Sequence, residues 1–127
     1  LKYRMILLDT NIVIYAAQTN YAHLRPLIQD RQNAVSAITH LEVLDFSKLT
    51  LANKHYFENV FALLQTFDVT SAVIERAIQL RQVRKMTVGD AIIAATALLY
   101  DYEIYTRNTD DFISMPDLKV HNPIIEK

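Results

Sequence analysis

Residues 5–8 read MILL, four apolar side chains in a row. The run stops at Asp9-Thr10-Asn11 before apolar residues resume over 12–17 (IVIYAA). A strand that is apolar at every position has no water-facing side, and such strands belong to parallel sheets covered on both faces. Parallel neighbours need long crossovers, usually helices, so this run already points to strands alternating with helices. The rest of the chain supplies them. Residues 34–37 (AVSA) read as a second strand, 103–106 (EIYT) as another and 119–121 as a last short one, while 67–69 (FDV) read as a strand or a turn. Helices are expected over 12–17, over 24–32 opening near Pro26, over 41–47 and over 50–66 with the stripe Leu51, Phe57, Val60, Phe61, Leu64. Two more are expected over 71–84 and 88–101 (VGDAIIAATALLYD). The expected fold is α/β, a three-layer α/β/α sandwich around a central, mainly parallel sheet. A length of 127 residues suits one domain, 1–127, in which residues 1–4 ahead of Met5 read as a short extension or a non-native lead-in.

Composition removes several function classes. Gly89 is the only glycine, so there is no P-loop, no GxGxxG turn and no GxSxG elbow. Cysteine is absent, which excludes disulfides, thiolate metal sites and cysteine nucleophiles. No apolar run reaches the length of a bilayer span, and no leader with a basic start and a cleavage site is present; a cytoplasmic protein without membrane attachment is expected. The net charge is −1, so nucleic-acid binding would need a local basic patch.

In a parallel α/β sheet, ligands sit outside the carboxyl ends of the strands. Acids recur at those positions. Asp9 ends the first strand, Glu42 is expected in the first turn of the helix after the second, Asp90 lies in the first turn of the alanine-rich helix, and Asp110 and Asp111 follow EIYT. Asp90 shares a helical face with Ile93, Ala94 and Ala97, so its carboxylate points inward. Clustered carboxylates repel one another unless a cation compensates. Oxygen donors without cysteine or paired histidines favour Mg2+ or Mn2+, and carboxylate-held ions of this kind hydrolyse phosphodiesters without a nucleophilic side chain.

Each acid alone also has a plain structural role. Thr39-x-x-Glu42 and Thr87-x-x-Asp90 match the capping box, and Asp9, Thr10 and Asn11 are all good helix caps. The order of four acids after four apolar elements is what those roles leave unexplained. His23, His40, His55 and His121 show no ligand spacing. Arg76, Arg81, Arg84 and Lys85 read first as a solvated helix face. Arg107, in the loop beside the acids, is a better candidate for a phosphate contact. Tyr15, Tyr56, Tyr100, Tyr102 and Phe112 read mainly as core or rim.

The blocks LLDTNIVIYAA, AVSAITHLEVL, VGDAIIAATALLYD and IYTRNTDDF resemble, in that order, the signature blocks of the PIN-domain family, with the nearest likeness to the VapC-type toxins of toxin–antitoxin pairs. The resemblance spans roughly residues 5–122. It implies an α/β/α sandwich and a Mg2+- or Mn2+-dependent ribonuclease in which Asp9, Glu42, Asp90 and Asp111 are catalytic. Asp9, Asp90 and Asp111 would hold the metal, with Asp110 as the alternative register for the fourth acid. Thr10, Asn11, Thr39, Thr106 and Asn108 would orient carboxylates or water from behind. It further implies a homodimer held inactive by a cognate antitoxin, with the 50–66 helix as part of the antitoxin groove. Two other classes compete. A phosphoacceptor domain would need an acid pair after the first strand and a lysine after the last core strand, where this chain has Asp9 alone and Arg107. An idle domain that only binds a protein partner would keep the fold and lack the activity.

Overall fold

The computed structural model describes residues 5–125; the lead-in over 1–4 lies outside the described residues. The elements run β1 (Ile6–Leu8), α1 (Thr10–Ala16), a 3-10 segment (Thr19–Leu24), α2 (Arg25–Ile28), β2 (Ala34–Ser36), α3 (Ala37–Leu44), α4 (Leu51–Leu63), β3 (Gln65–Phe67), α5 (Ser71–Val83), α6 (Val88–Tyr100), β4 (Glu103–Tyr105), a 3-10 turn (Thr109–Asp111) and β5 (Val120–His121). The strands form one sheet in the order β3-β2-β1-β4-β5, and every pairing is parallel. The chain leaves β1 toward β2 and β3, then returns to place β4 on the other side. The switch point therefore lies between β1 and β4, where Leu7 faces Ile104 and Leu8 faces Tyr105.

The MILL run is buried on two sides because it separates two cores. Leu7 packs with the α5–α6 layer, in a cluster with Val73, Ile93 and Ile104. Leu8 packs with the opposite layer, beside Ile12, Val13 and Phe61. Successive strand side chains point to opposite faces, so two adjacent fully buried leucines are what a central strand of a sandwich requires. Among the described residues no helix is long and apolar enough to cross a membrane.

Helix α6 fits against the sheet because it is built of small residues: Ala91, Ala94, Ala95 and Ala97 are all buried. Its one buried hydroxyl, Thr96, donates back to the Ile92 carbonyl at 2.7 Å and so needs no outside partner. The helix ends on Asp101 in the left-handed region, φ 58°, a conformation that aspartate tolerates better than most residues. Asp101 and Tyr102 alone connect it to β4.

Four of the expected elements shift. The helix expected over 41–47 begins at Ala37, directly after β2, with Ser36 as its cap: the Ser36 Oγ accepts the Ile38 amide at 3.2 Å. The 50–66 helix stops at Leu63, and the strand expected at 67–69 is Gln65–Phe67. The 24–32 helix shortens to Arg25–Ile28, preceded by the 3-10 segment.

Candidate active site

Asp9 is the first residue after β1 and the cap of α1. Its extended backbone, φ −68° and ψ 155°, turns the chain from strand to helix, and its Oδ1 accepts the Thr10 amide at 2.8 Å. The capping role is therefore real, and it holds the carboxylate at the switch point. Oδ2 accepts the Thr106 hydroxyl at 2.7 Å and the Asn11 side-chain amide at 3.2 Å. Thr106, buried at the end of β4, in turn accepts the Asn108 amide at 3.0 Å and Asn11 Nδ2 at 3.3 Å. Asn11 Oδ1 accepts the Arg107 amide at 3.1 Å. Thus Asn11, Thr106 and Asn108 tie the loop after β4 to the start of α1 and fix one carboxylate between them. Among the described residues all donors to Asp9 are neutral.

A second chain of hydroxyls positions Glu42. Thr10 Oγ1 donates to Glu42 Oε1 at 2.6 Å and lies 3.0 Å from Thr39 Oγ1. A hydroxyl carries one proton, and Thr10 spends its own on Glu42, so buried Thr39 is the donor to Thr10. Glu42 is not in the first turn of α3, as expected, because that helix starts at Ala37. The Thr39-x-x-Glu42 capping box is accordingly absent: Ser36 caps the helix, and Thr39 and Glu42 reach sideways to α1. The pairing of β1 with β2 sets the two helix starts side by side and makes that reach possible.

Asp90 is the third residue of α6. Thr87 caps this helix, its Oγ1 accepting the Asp90 amide at 3.1 Å. The face shared with Ile93, Ala94 and Ala97 is buried as read, and it carries Asp90 toward the sheet edge. Burial, and then the field of Asp9, pushes its carboxyl up to about 6; the Thr87 hydroxyl works the other way, and Asp111 and Glu42 add to the rise. The Asp9 carboxyl is likewise pushed up, first by burial, against the stabilising hydrogen bonds from Thr106 and Thr10, with Glu42 and Asp111 adding repulsion. The fields of Asp9, Glu42, Asp90 and Asp111 thus overlap. Asp110 lines the same cleft as Asp90 and Asp111, but the field felt at both Asp9 and Asp90 is that of Asp111.

Sequence reasoning missed Gly89. A β-carbon there would stand 2.7 Å from Glu42 Oε2, so the only glycine of the chain lies where α6 passes the Glu42 carboxylate. Its isolation in a glycine-poor sequence was the available signal. The histidines are not brought to the acids: His40 stacks on Phe61 at 4.1 Å and pairs with Thr66 at 3.0 Å, and burial pushes its ring pKa down. Arg107 lies over the Tyr15 ring, 5.2 Å from its centre. Phe112 is fully buried and unavailable for stacking on a base.

Charges of one sign that are partly desolvated and unpaired favour a bound cation. The donors are oxygens, which suits Mg2+ or Mn2+. Among the described residues no group of three Asp, Glu, His or Cys side chains encloses an ion as it stands. The set fits an ion that takes one or two carboxylates and keeps water or phosphate oxygens in the rest of its shell, which is the habit of magnesium.

The family model of the PIN domain matches residues 6–118. The chain belongs to the PIN domain family. This PIN domain is 37% identical over 67 residues to Ribonuclease VapC of Rickettsia bellii, a match covering 51% of the chain and 50% of that protein, so the alignment spans about half the length of each. It superposes on a toxin–antitoxin complex from Klebsiella pneumoniae with a TM-score of 0.79 and 33% identity, covering 95% of this chain and 99% of that one. FitAcB of Neisseria gonorrhoeae follows at 0.74 and 27%, covering 94% and 98%. VapBC2 of Rickettsia felis, solved bound to a promoter DNA fragment, shares the fold at 0.76 and 23%, covering 93% and 98%.

Proposed function

We propose that this PIN domain is a divalent-cation-dependent endoribonuclease, the toxin of a toxin–antitoxin pair, working in the cytoplasm. The observation that carries the reading is the convergence of Asp9, Glu42, Asp90 and Asp111, from four separate elements, into one field at the switch point of the sheet. The likeness to Ribonuclease VapC supports RNA as the substrate. Asp9, Asp90 and Asp111 are the proposed ligands of Mg2+ or Mn2+. A bound ion of this kind lowers the pKa of a water and offsets charge on the leaving oxygen.

The chain's own residues do the rest. Thr106 and Asn11 hold Asp9 in one orientation, so no rearrangement is needed when substrate arrives. Thr10, backed by Thr39, aims Glu42, which is exposed and placed to accept a proton from the attacking water. Asp90, with a carboxyl pushed up to about 6, is ionised near neutral pH and loses its charge below that.

The antitoxin is proposed to lie in the groove of about 430 Å³ between α1, α3 and α4, lined by Ile14, Val43, Phe46 and Phe57. Phe46 is 58% exposed there, and Glu42 is part of the lining, so an apolar segment seated in the groove lies against that acid. A homodimer is proposed through the α5–α6 face, where Ile74, Ile78 and Val88 line a second depression of about 440 Å³.

The test is cleavage of a mixed RNA substrate with Mg2+ or Mn2+ and with EDTA. Cutting that needs the ion and is lost in Asp9→Asn and Asp90→Asn is expected. Cutting that persists unchanged in both variants, or that never occurs, overturns the reading and leaves a partner-binding module.

A further inference from the structure

We propose that Arg81, Arg84 and Lys85 form a phosphate-binding rim that holds the backbone of the substrate strand beside the acids. The inference rests on the nuclease reading for its substrate and on separate residues for its argument. Helix α5 ends at Val83 and α6 begins at Val88. The last turn of α5, with Arg81, and the short connection, with Arg84 and Lys85, bring these three cations to a cleft of about 510 Å³ whose lining also includes Asp90, Asp110 and Asp111. Arg76, earlier on α5, is not in the lining of this cleft; it lines a neighbouring depression with Leu98 and Pro116, which Arg84 also borders. Of the four cations, Arg81, Arg84 and Lys85 line the cleft of the acids and Arg76 does not; Arg81 also borders the α5–α6 depression.

Among the described residues none of the three forms an ion pair with the acids across the cleft. Positive and negative walls share one cleft and leave each other unneutralised. Arg81 Nε donates to the Met86 carbonyl at 3.1 Å, which closes the turn and leaves its terminal amino groups for an outside acceptor. Arg84 is half-buried. Its Nη2 reaches the Ser114 carbonyl only at 3.5 Å, and its buried Nε has no hydrogen-bond partner. A buried donor without an acceptor is costly and uncommon, so the Arg84 guanidinium stands incompletely satisfied at the border of the cleft. The planar guanidinium fork matches phosphate oxygens. The need is general: the net charge is −1 and the acids repel a polyanion, so attraction must be local.

The test reads binding without cutting. A labelled single-stranded oligoribonucleotide is titrated with wild-type protein in EDTA across a salt series and followed by fluorescence anisotropy. Each cation that meets a phosphate adds about 0.7 to the slope of log K against log salt. Lys85→Gln and Arg84→Gln should each lower the slope by about that amount and weaken binding several-fold, and the triple Gln variant should remove most of the affinity. Arg84→Lys should keep the slope, and Arg31→Gln, at the opposite end of β2, should change nothing. With Mg2+, rim variants should raise KM and leave kcat within about twofold, as expected for contacts made equally before and during the reaction. Lys85 is exposed and its side chain makes no hydrogen bond among the described residues, so its variant tests the rim without endangering the fold. Unchanged slope and affinity in Lys85→Gln and in the triple variant, or wild type without salt-dependent binding, would overturn the rim. Rim-dependent binding by a protein that never cuts RNA would sustain the rim and overturn the nuclease; metal-dependent cutting with KM unmoved by the rim variants would do the reverse.

Discussion

At the scale of single residues, the site trades stability for charge placement. Asp90 shows the sign. Its folded carboxyl is pushed up to about 6 from 3.8, so the folded state holds a proton that the unfolded state has released. In the absence of a cation, stability should rise as pH falls from 7 through 6, and the penalty is fully present only above about 6. Asp90→Asn should therefore stabilise the protein in EDTA at pH 7.5. Discounted for the half-exposed position, the gain is about 1 kcal/mol, or about 4 °C in Tm. It should shrink by pH 5, and paired thermal melts read it while cancelling the opposite trend of His40. Gly89 shows the same trade in steric form. Gly89→Ala gains up to about 1 kcal/mol of helix propensity, but its β-carbon displaces Glu42 Oε2, 2.7 Å away. Tm should hold or rise while RNA cleavage falls by about tenfold or more, the loss typical of a misplaced acid–base group.

At the scale of elements, strands pass into helices with almost no loop, and this decides what could be read. Asp9 was legible because a polar trio breaks an apolar run, and Asp90 because its helical face is otherwise alanine and isoleucine. The start of α3 was not legible: Ser36 is the last strand residue and the helix cap at once, and a pattern search sees AVSA as strand alone. That error put Glu42 in the wrong turn and hid its bond to Thr10. Strand β3 was misplaced because it is an edge strand whose Gln65 and Thr66 face solvent, so the apolar signal shifts to FDV. Asp110 and Asp111 could not be separated without the 3-10 turn that offsets them. The double duty of Ser36 is testable. Ser36→Ala removes the acceptor for the Ile38 amide and should cost about 1 kcal/mol by urea denaturation. Activity should fall further than that loss of folded protein explains, because the register of Thr39 and Glu42 against Thr10 depends on the same cap.

At the scale of the whole molecule, the topology gathers acids that lie far apart in sequence. The order β3-β2-β1-β4-β5 puts the switch point at the carboxyl ends of β1 and β4, and Asp9 with its hydroxyl supports lies there within the fields of Glu42 and Asp111. The apolar α5–α6 face lies outside that crevice, with Ile78 53% exposed. If a second copy covers it, Ile78→Glu should convert a dimer to a monomer by light scattering after gel filtration, without disturbing Asp9 or Glu42. The claim on which everything else depends is that the converged carboxylates hold a divalent ion. It is tested most directly by titrating Mn2+ into the protein at pH 7.5 and following the spin-resonance signal of the free ion. Wild type and Asp110→Asn should deplete free Mn2+, and Asp9→Asn and Asp90→Asn should not. Depletion by the Asp9 and Asp90 variants equal to wild type, or none by wild type, would contradict the account.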